Sequence, residues 1–259
     1  MLKRWISGWM AVTLAGGLQG VFKSAQTEFQ AAKPNVALVE LFTSEGCSSC
    51  PPADDLLRRI DGSTTDQGLL IVGISEHVTY WDHDGWKDPY GSETMTERQN
   101  DYGRRFNLES VYTPQMVVNG EAEFVGSDGR SLVKAVTGAH GATGSTIEIG
   151  SLTVDGASVA AKVSVGTLPS TGADMFAVVA EDETTQHVLR GENEGKTLSH
   201  ASVARILVNV GRMEAPGTRA INLKLPSDVG IAPGTRRHLI VWLQEPNFGR
   251  VTGVDSKAF

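Results

Sequence analysis

The chain has 259 residues, 40% hydrophobic and 20% charged, with a formal net charge of −7. That length buries a full core, as one large domain or two ordinary ones, and the even composition excludes a chain that is disordered throughout. The acidic balance, with no run rich in Lys and Arg, speaks against nucleic acid or an anionic membrane surface as the main partner, since both require a basic face.

Lys3 and Arg4 precede a mostly apolar stretch from Trp5 to Leu18, and polar residues return at Gln19. This is the pattern of a secretory signal, so residues 1–32 are expected to be a signal peptide. Phe29-Gln30-Ala31-Ala32 is a loose match to a small-x-small cleavage site. The alternative is an uncleaved N-terminal anchor extended by Val21 and Phe22, the only membrane contact expected. Either reading places the protein outside the cytoplasm, in the periplasm or secreted.

Val36 to Phe42 is a near-continuous apolar run of strand length, the pattern of a strand covered on both faces. Thr43 to Gly46 breaks it. Pro51 and Pro52, followed by Asp54, Asp55, Leu56, Leu57 and Ile60, predict a helix with its prolines in the first turn. Leu69 to Ser75 is a second buried strand. Thr94-x-x-Glu97 predicts a capping box for a helix that turns Met95, Tyr102 and Phe106 inward and stops near Asn107. Thr113-Pro114 leads into Gln115 to Val118, then Asn119-Gly120, then Glu121 to Val125, a hairpin whose two turn positions need positive φ. A short helix fits Arg130 to Val136.

These elements define an α/β domain over residues 33–138, ordered strand, helix, strand, helix, hairpin, helix. A linker rich in Gly, Ala and Thr is expected at 139–145. Residues 146–259 are expected to form a separate all-β, sandwich-like domain. It contains an alternating hairpin from Ser151 to Gly166 around Asp155-Gly156, and strands at Met175–Ala180, Ala220–Leu225 and Leu239–Gln244. Ala201 to Val210 is ambiguous between helix and strand.

The chain has two cysteines, Cys47 and Cys50, straddling the start of the first predicted helix. No long-range disulfide is available, so the pair is there for local chemistry, and in an exported protein it becomes oxidised or metallated unless kept reduced. Free N–H groups and the helix dipole lower the pKa of Cys47 and favour its thiolate, while Cys50 is placed to resolve a mixed disulfide. Glu45, Asp54 and Asp55 oppose this if they turn toward sulfur.

Two separated motifs resemble the thioredoxin superfamily. One is the strand ending in Cys47-Ser48-Ser49-Cys50 before a helix. The other is Thr113-Pro114, which looks like the superfamily's cis-proline, whose preceding residue offers its backbone to a substrate strand. More narrowly, the stretch from Val39 to Asp54 is similar to a family of bacterial secreted thioredoxin-like proteins of unknown function. Tyr80-Trp81-Asp82, Gly85-Trp86-Lys87-Asp88-Pro89 and Val111 to Val118 also match that family's pattern. The resemblance implies a thioredoxin-like domain with a Cys47/Cys50 redox pair. The departures are Ser48-Ser49 in place of thioredoxin's Gly-Pro, two prolines after the second cysteine, and no aligned counterpart of the buried acid. Glu40 is the nearest stand-in and the candidate proton relay to Cys50; its alternative is a solvent-facing or structural glutamate.

His77, Tyr80, Trp81, Asp82, His83 and Trp86 form a dense loop where ligand-facing loops of α/β sheets lie. Trp81 and Trp86, with Thr113 and Pro114, are the candidate substrate contacts; the alternative is a loop packed on its own domain. Cys47, Cys50 and His77 would also suit Cu(I), which makes a copper-binding or copper-delivery protein the rival chemistry. Otherwise no cofactor is expected. Gly191 to Thr197 has three residues between its glycines where a phosphate loop needs four, and its Glu192 and Glu194 repel phosphate. His140, His187, His200 and His238 are expected to be surface or packing residues. The function expected is thiol-disulfide exchange with protein or small-molecule thiols and disulfides, with a non-catalytic module holding a closed disulfide as a further alternative.

Overall fold

The computed structural model describes residues 35–138, 141–142, 144–226 and 235–259. Strand β1 (Val36–Thr43) is buried at every position, as an apolar strand with neighbours on both edges must be. It pairs in parallel with β2 (Leu70–His77) and antiparallel with β3 (Gln115–Val118). Between β1 and β2 runs helix α1 (Pro51–Ile60), whose two prolines occupy the first turn, where a missing N–H removes no helical bond. Helix α2 (Glu93–Phe106) follows a short 3-10 turn at Asp82–Asp84. It starts after Ser92, and the Thr94-x-x-Glu97 box does not cap it. The neighbouring Thr96 hydroxyl is engaged instead, accepting from the Thr79 N–H at 3.0 Å.

β3 turns through Asn119 and Gly120, at φ 50° and 65°, into β4 (Ala122–Val125). A Cβ on Gly120 would also fall 2.3 Å from the Gly249 carbonyl oxygen, so the turn and the packing both require glycine there. Helix α3 (Gly129–Gly138) then returns over the sheet. Ala53 and Leu57 of α1 and Leu132 and Val136 of α3 pack on one face with Ala37, Val39 and Leu41. Met95 of α2 belongs to the opposite face, with Leu38, Val72 and Ile74.

The expected thioredoxin-like α/β domain followed by a separate β-sandwich is not what forms. β2 is buried almost throughout and cannot remain an edge. Its outer side takes β8 (Thr197–Met213) in parallel at Ser75 and Val203. β7 (Ala173–His187), β10 (Arg237–Gln244) and β11 (Val251–Ala258) carry the sheet on. The result is one mixed eight-stranded sheet in the order β11-β10-β7-β8-β2-β1-β3-β4. The protein is mostly β, with three α-helices among the described residues. The ambiguous Ala201–Val210 lies inside β8 as strand.

A second, three-stranded sheet of β5 (Thr146–Asp155), β6 (Ser158–Thr167) and β9 (Gly217–Lys224) lies over the far end of the large one. Ile147, Val163, Val165 and Ile221 fill the space against Met175, Ala177, Val179, Leu239 and Val241. In the segment expected as a linker, the Ala142 N–H donates to the Val36 carbonyl at 2.7 Å and the Ser145 N–H to that of Thr252 at 2.9 Å. The described residues form one compact unit. The signal or anchor expected at residues 1–32, and His140, lie outside them. No helix among them is long and apolar enough to cross a membrane.

Candidate functional site

The peptide leaving β1 folds back on itself before α1 begins. The Cys47 N–H reaches the Ser44 carbonyl at 3.1 Å and the Cys50 N–H reaches that of Cys47 at 3.2 Å. Gly46 permits this, because a Cβ there would meet the Trp81 Cβ at 2.9 Å and its carbonyl oxygen at 3.2 Å. Cys50 is the N-cap residue of α1, and its carbonyl accepts from Ala53 and Asp54. Cys47 and Cys50 are joined as a disulfide, both fully buried, while Ser48 and Ser49 between them are exposed.

Opposite the disulfide lies Thr113-Pro114, a cis peptide bond. The Ser49 hydroxyl is 3.3 Å from Cys47 Sγ and 3.5 Å from the Thr113 carbonyl oxygen. Trp81 Nε1 donates to Thr113 Oγ1 at 2.7 Å, and Gln99 Nε2, from α2, donates to the Tyr112 carbonyl at 2.7 Å. The structure therefore brings Cys47, Cys50, Trp81, Thr113 and Pro114 into one place. Trp86 serves the same region differently: its Nε1 donates to Glu45 Oε2 at 2.8 Å.

Glu40 is placed elsewhere. Its carboxylate is buried on the α2 face, accepting from Arg98 Nε at 2.5 Å and the Tyr102 hydroxyl at 2.6 Å. Strand alternation explains this, because Leu41 points toward α1 and its neighbour Glu40 points away. The acids on the cysteine side are Glu45 and Asp54, both buried.

His200 of β8 lies between those two acids. Its Nε2 is 3.3 Å from Glu45 Oε1 and its Nδ1 is 3.7 Å from Asp54 Oδ1. Burial works against its charged form, yet Asp54 and Glu45 together raise its pKa to about 10. His77 stands edge-on to it with ring centroids 4.7 Å apart. His77 Nδ1 donates to Asp88 Oδ2 at 2.7 Å, and the same oxygen accepts from the Glu45 N–H at 2.8 Å. Burial alone would raise the Asp88 pKa, but the His77 imidazole and the amide donors hold it at about 2.

His77 Nδ1 is committed to Asp88, the two sulfurs are bonded to each other, and among the described residues no group of three or more His, Cys, Asp and Glu side chains is arranged to hold a metal ion.

Sequence reasoning missed two contributions from the second half of the chain. His200 was expected to be a surface or packing residue. The turn set aside as a failed phosphate loop instead lies across the cysteines: Asn193 Nδ2 donates to the carbonyls of Glu45 at 2.8 Å and Cys47 at 2.9 Å, and Glu192 Oε2 accepts from the Ser48 N–H at 3.1 Å. Lys196 Nζ braces Asn193 Oδ1 at 2.8 Å. The signal available in the sequence was the pair of acids flanking the cysteines, which demanded a cation from somewhere.

A family model described as "Protein of unknown function (DUF1223)" matches residues 38–244. The chain is similar to the crystal structure of protein AGR_C_4864 from Agrobacterium tumefaciens, at 28% identity and a TM-score of 0.62, over 87% of this chain and 95% of that one. OgpA from Akkermansia muciniphila matches at 9% identity and a TM-score of 0.27, over 47% of this chain and 28% of that one. No curated protein matches.

Proposed function

The chain belongs to that family of unknown function, and from this premise we propose that it is an exported thiol-disulfide oxidoreductase whose redox pair is Cys47 and Cys50. One observation carries the reading: the disulfide lies at the start of α1, under an exposed Ser48-Ser49 and facing the Thr113 main chain. A helix start stabilises the thiolate that exchange requires. The likeness of both motifs to those of the thioredoxin superfamily supports the chemistry, and the leader pattern of residues 1–32 supports export.

In the reducing direction the Cys47 thiolate attacks a substrate disulfide, one substrate sulfur leaves as a thiolate, and a mixed disulfide forms. Cys50 then attacks Cys47 Sγ, the second substrate sulfur leaves, and the Cys47–Cys50 bond is restored with two electrons passed to the substrate. Oxidation of a substrate dithiol runs the same steps backward. Partners are protein or small-molecule thiols and disulfides. Because Cys47 is covered, exchange requires the Glu192–Asn193 turn to lift, and the exposed Glu192–Ser48 contact is the weaker of its attachments.

A Cys50→Ser variant tests the assignment. Incubated with oxidised glutathione or a disulfide-bonded peptide, it should accumulate a mixed disulfide at Cys47 that the intact pair does not retain. Absence of any adduct, together with no turnover by the unmodified protein in disulfide exchange, refutes the function and leaves a closed structural disulfide.

A further inference from the structure

Two buried carboxylates flank the cysteines along the chain, and uncompensated they would work against a sulfur anion. Glu45 is two residues before Cys47. Asp54 is one helical turn after Cys50, on the same side of α1. Every disulfide exchange step releases a thiolate, so uncompensated buried negative charges flanking the pair disfavour that intermediate. Both acids and Cys47 are almost wholly out of water, where that repulsion is screened least.

A counter-charge is present and comes from the other half of the chain. His200 lies between Glu45 and Asp54, itself buried. Among the described residues nothing else around it replaces it. His77 is turned to Asp88, Trp86 donates a neutral hydrogen bond to Glu45, and Tyr90 meets the ring edge-on at 5.9 Å. Arg205 lies over the Tyr90 ring and pairs with Glu181 at 3.4 Å. Lys196 is spent on Asn193. The arrangement also has slack: His200 Nδ1 and Asp54 Oδ1 are buried without another hydrogen-bond partner and stand 3.7 Å apart, just beyond bonding distance.

We propose that His200, held as an imidazolium between Glu45 and Asp54, is a positioning residue of the redox site: by neutralising those carboxylates it allows Cys47 to exist as a thiolate. It transfers no proton and touches no substrate. This rests on the assignment of Cys47 and Cys50 as the reacting pair. It makes the site a composite of both halves of the chain, since the sulfurs come from the β1–α1 junction and the charge that tunes them comes from β8.

The test uses the full chain carrying Cys50→Ser, so that Cys47 is the only thiol, and reads the rate of its alkylation by iodoacetamide against pH. Adding His200→Gln should move the midpoint of that profile upward by about one unit, a tenfold loss of rate on its acid side. Adding Glu45→Gln should move it downward. A structural role for His200 predicts loss of folding without these opposed shifts. If His200→Gln does not fold, it is added to Glu45→Gln, where one buried acid is already gone: an upward shift relative to Glu45→Gln alone supports the proposal, and no shift overturns it. An unchanged profile in Glu45→Gln, or in a folded His200→Gln, overturns it. Alkylation needs no redox substrate, so a protein that shows the shifts but exchanges with no disulfide refutes the oxidoreductase and leaves the His200 assignment standing.

Discussion

Arg98→Met is expected to be the most damaging single substitution in the sheet core, and its effect follows from the buried group around Glu40. Arg98 Nε donates to Glu40 Oε1 at 2.5 Å, Nη2 donates to the Tyr102 hydroxyl and to Gln244 Oε1 at 3.1 Å each, and Glu76 Oε1 is 3.7 Å away. Its guanidinium carbon lies 4.8 to 5.2 Å from the ring centres of Tyr102, Phe176, Trp242 and Phe248. Methionine fills much of the volume and keeps some sulfur–aromatic contact, worth about 0.3–1.5 kcal/mol, so the loss is mainly electrostatic. Removing one partner of a buried pair costs about 3–5 kcal/mol because the other charge stays buried. Here two carboxylates, Glu40 and Glu76, lose their cation. Urea unfolding at pH 7 should show a loss of that size. The sign with pH is also set: burial, then Glu40, push the Glu76 carboxyl well above its ordinary range, so the penalty is present at neutral pH and relieved as pH falls toward 4.5. The variant should regain more stability between pH 7 and 5 than the unmodified protein does. Removing Glu40 as well, as Glu40→Leu, should restore part of the loss. A deficit under about 1 kcal/mol, or one that does not change with pH, would refute this account of the network.

Asn193→Ala releases the turn across the disulfide by removing the side-chain donor to the Glu45 and Cys47 carbonyls, the latter keeping only the Cys50 N–H. At about 1.4 kcal/mol per decade and about 1–3 kcal/mol for the lost bonds, dithiothreitol should reduce Cys47–Cys50 roughly tenfold faster or more; equal rates in stopped-flow would show that the turn does not limit access. Stability should also vary with pH through two groups of opposite sign. His200, raised to about 10, stabilises fully below its unfolded value of 6.5 and less as pH rises to 10. Asp88, held at about 2, stabilises fully above 3.8 and less as pH falls through 2. These two groups alone would hold the urea midpoint level from about pH 4 to 6.5; the raised Glu76 tilts it downward as pH rises above 4.5, and His200→Gln should remove only the His200 part of the alkaline limb.

What was legible in the sequence was local. The apolar run of β1, the two prolines opening α1 and the Asn119-Gly120 turn each follow from a rule that operates within a few residues. The start of α2 was misread where local rules compete: Thr94 and Glu97 have the capping spacing, but Ser92 begins the helix and Thr96 and Glu93 are drawn to Thr79. The fold class was misread for a different reason. Apolar runs state that a strand is covered and not by what, and β2 finds its partner through Val203, more than a hundred residues on. The same distance hid His200 and Asn193. Nothing near them in sequence marks them, and only the buried acids at the cysteines ask for them.

That distance also explains why the second half of the chain is no appendage. The α2-side face of β1 and β2 is completed by Phe176, Val178, Ile240 and Trp242, so without β7 and β10 the core around Leu38 and Ile74 would be open to water. Pairing of β8 with β2 does two things at once: it closes the bare edge and carries His200 to the acids beside the disulfide. The turn before β8 then lies across the cysteines because the strand that anchors it is fixed in the sheet. A redox pair on a small independent domain must hold its charge balance and its cover within that domain. Here both are supplied by sheet pairing, so under the proposed function the cysteines are ready for exchange only once the second half has folded.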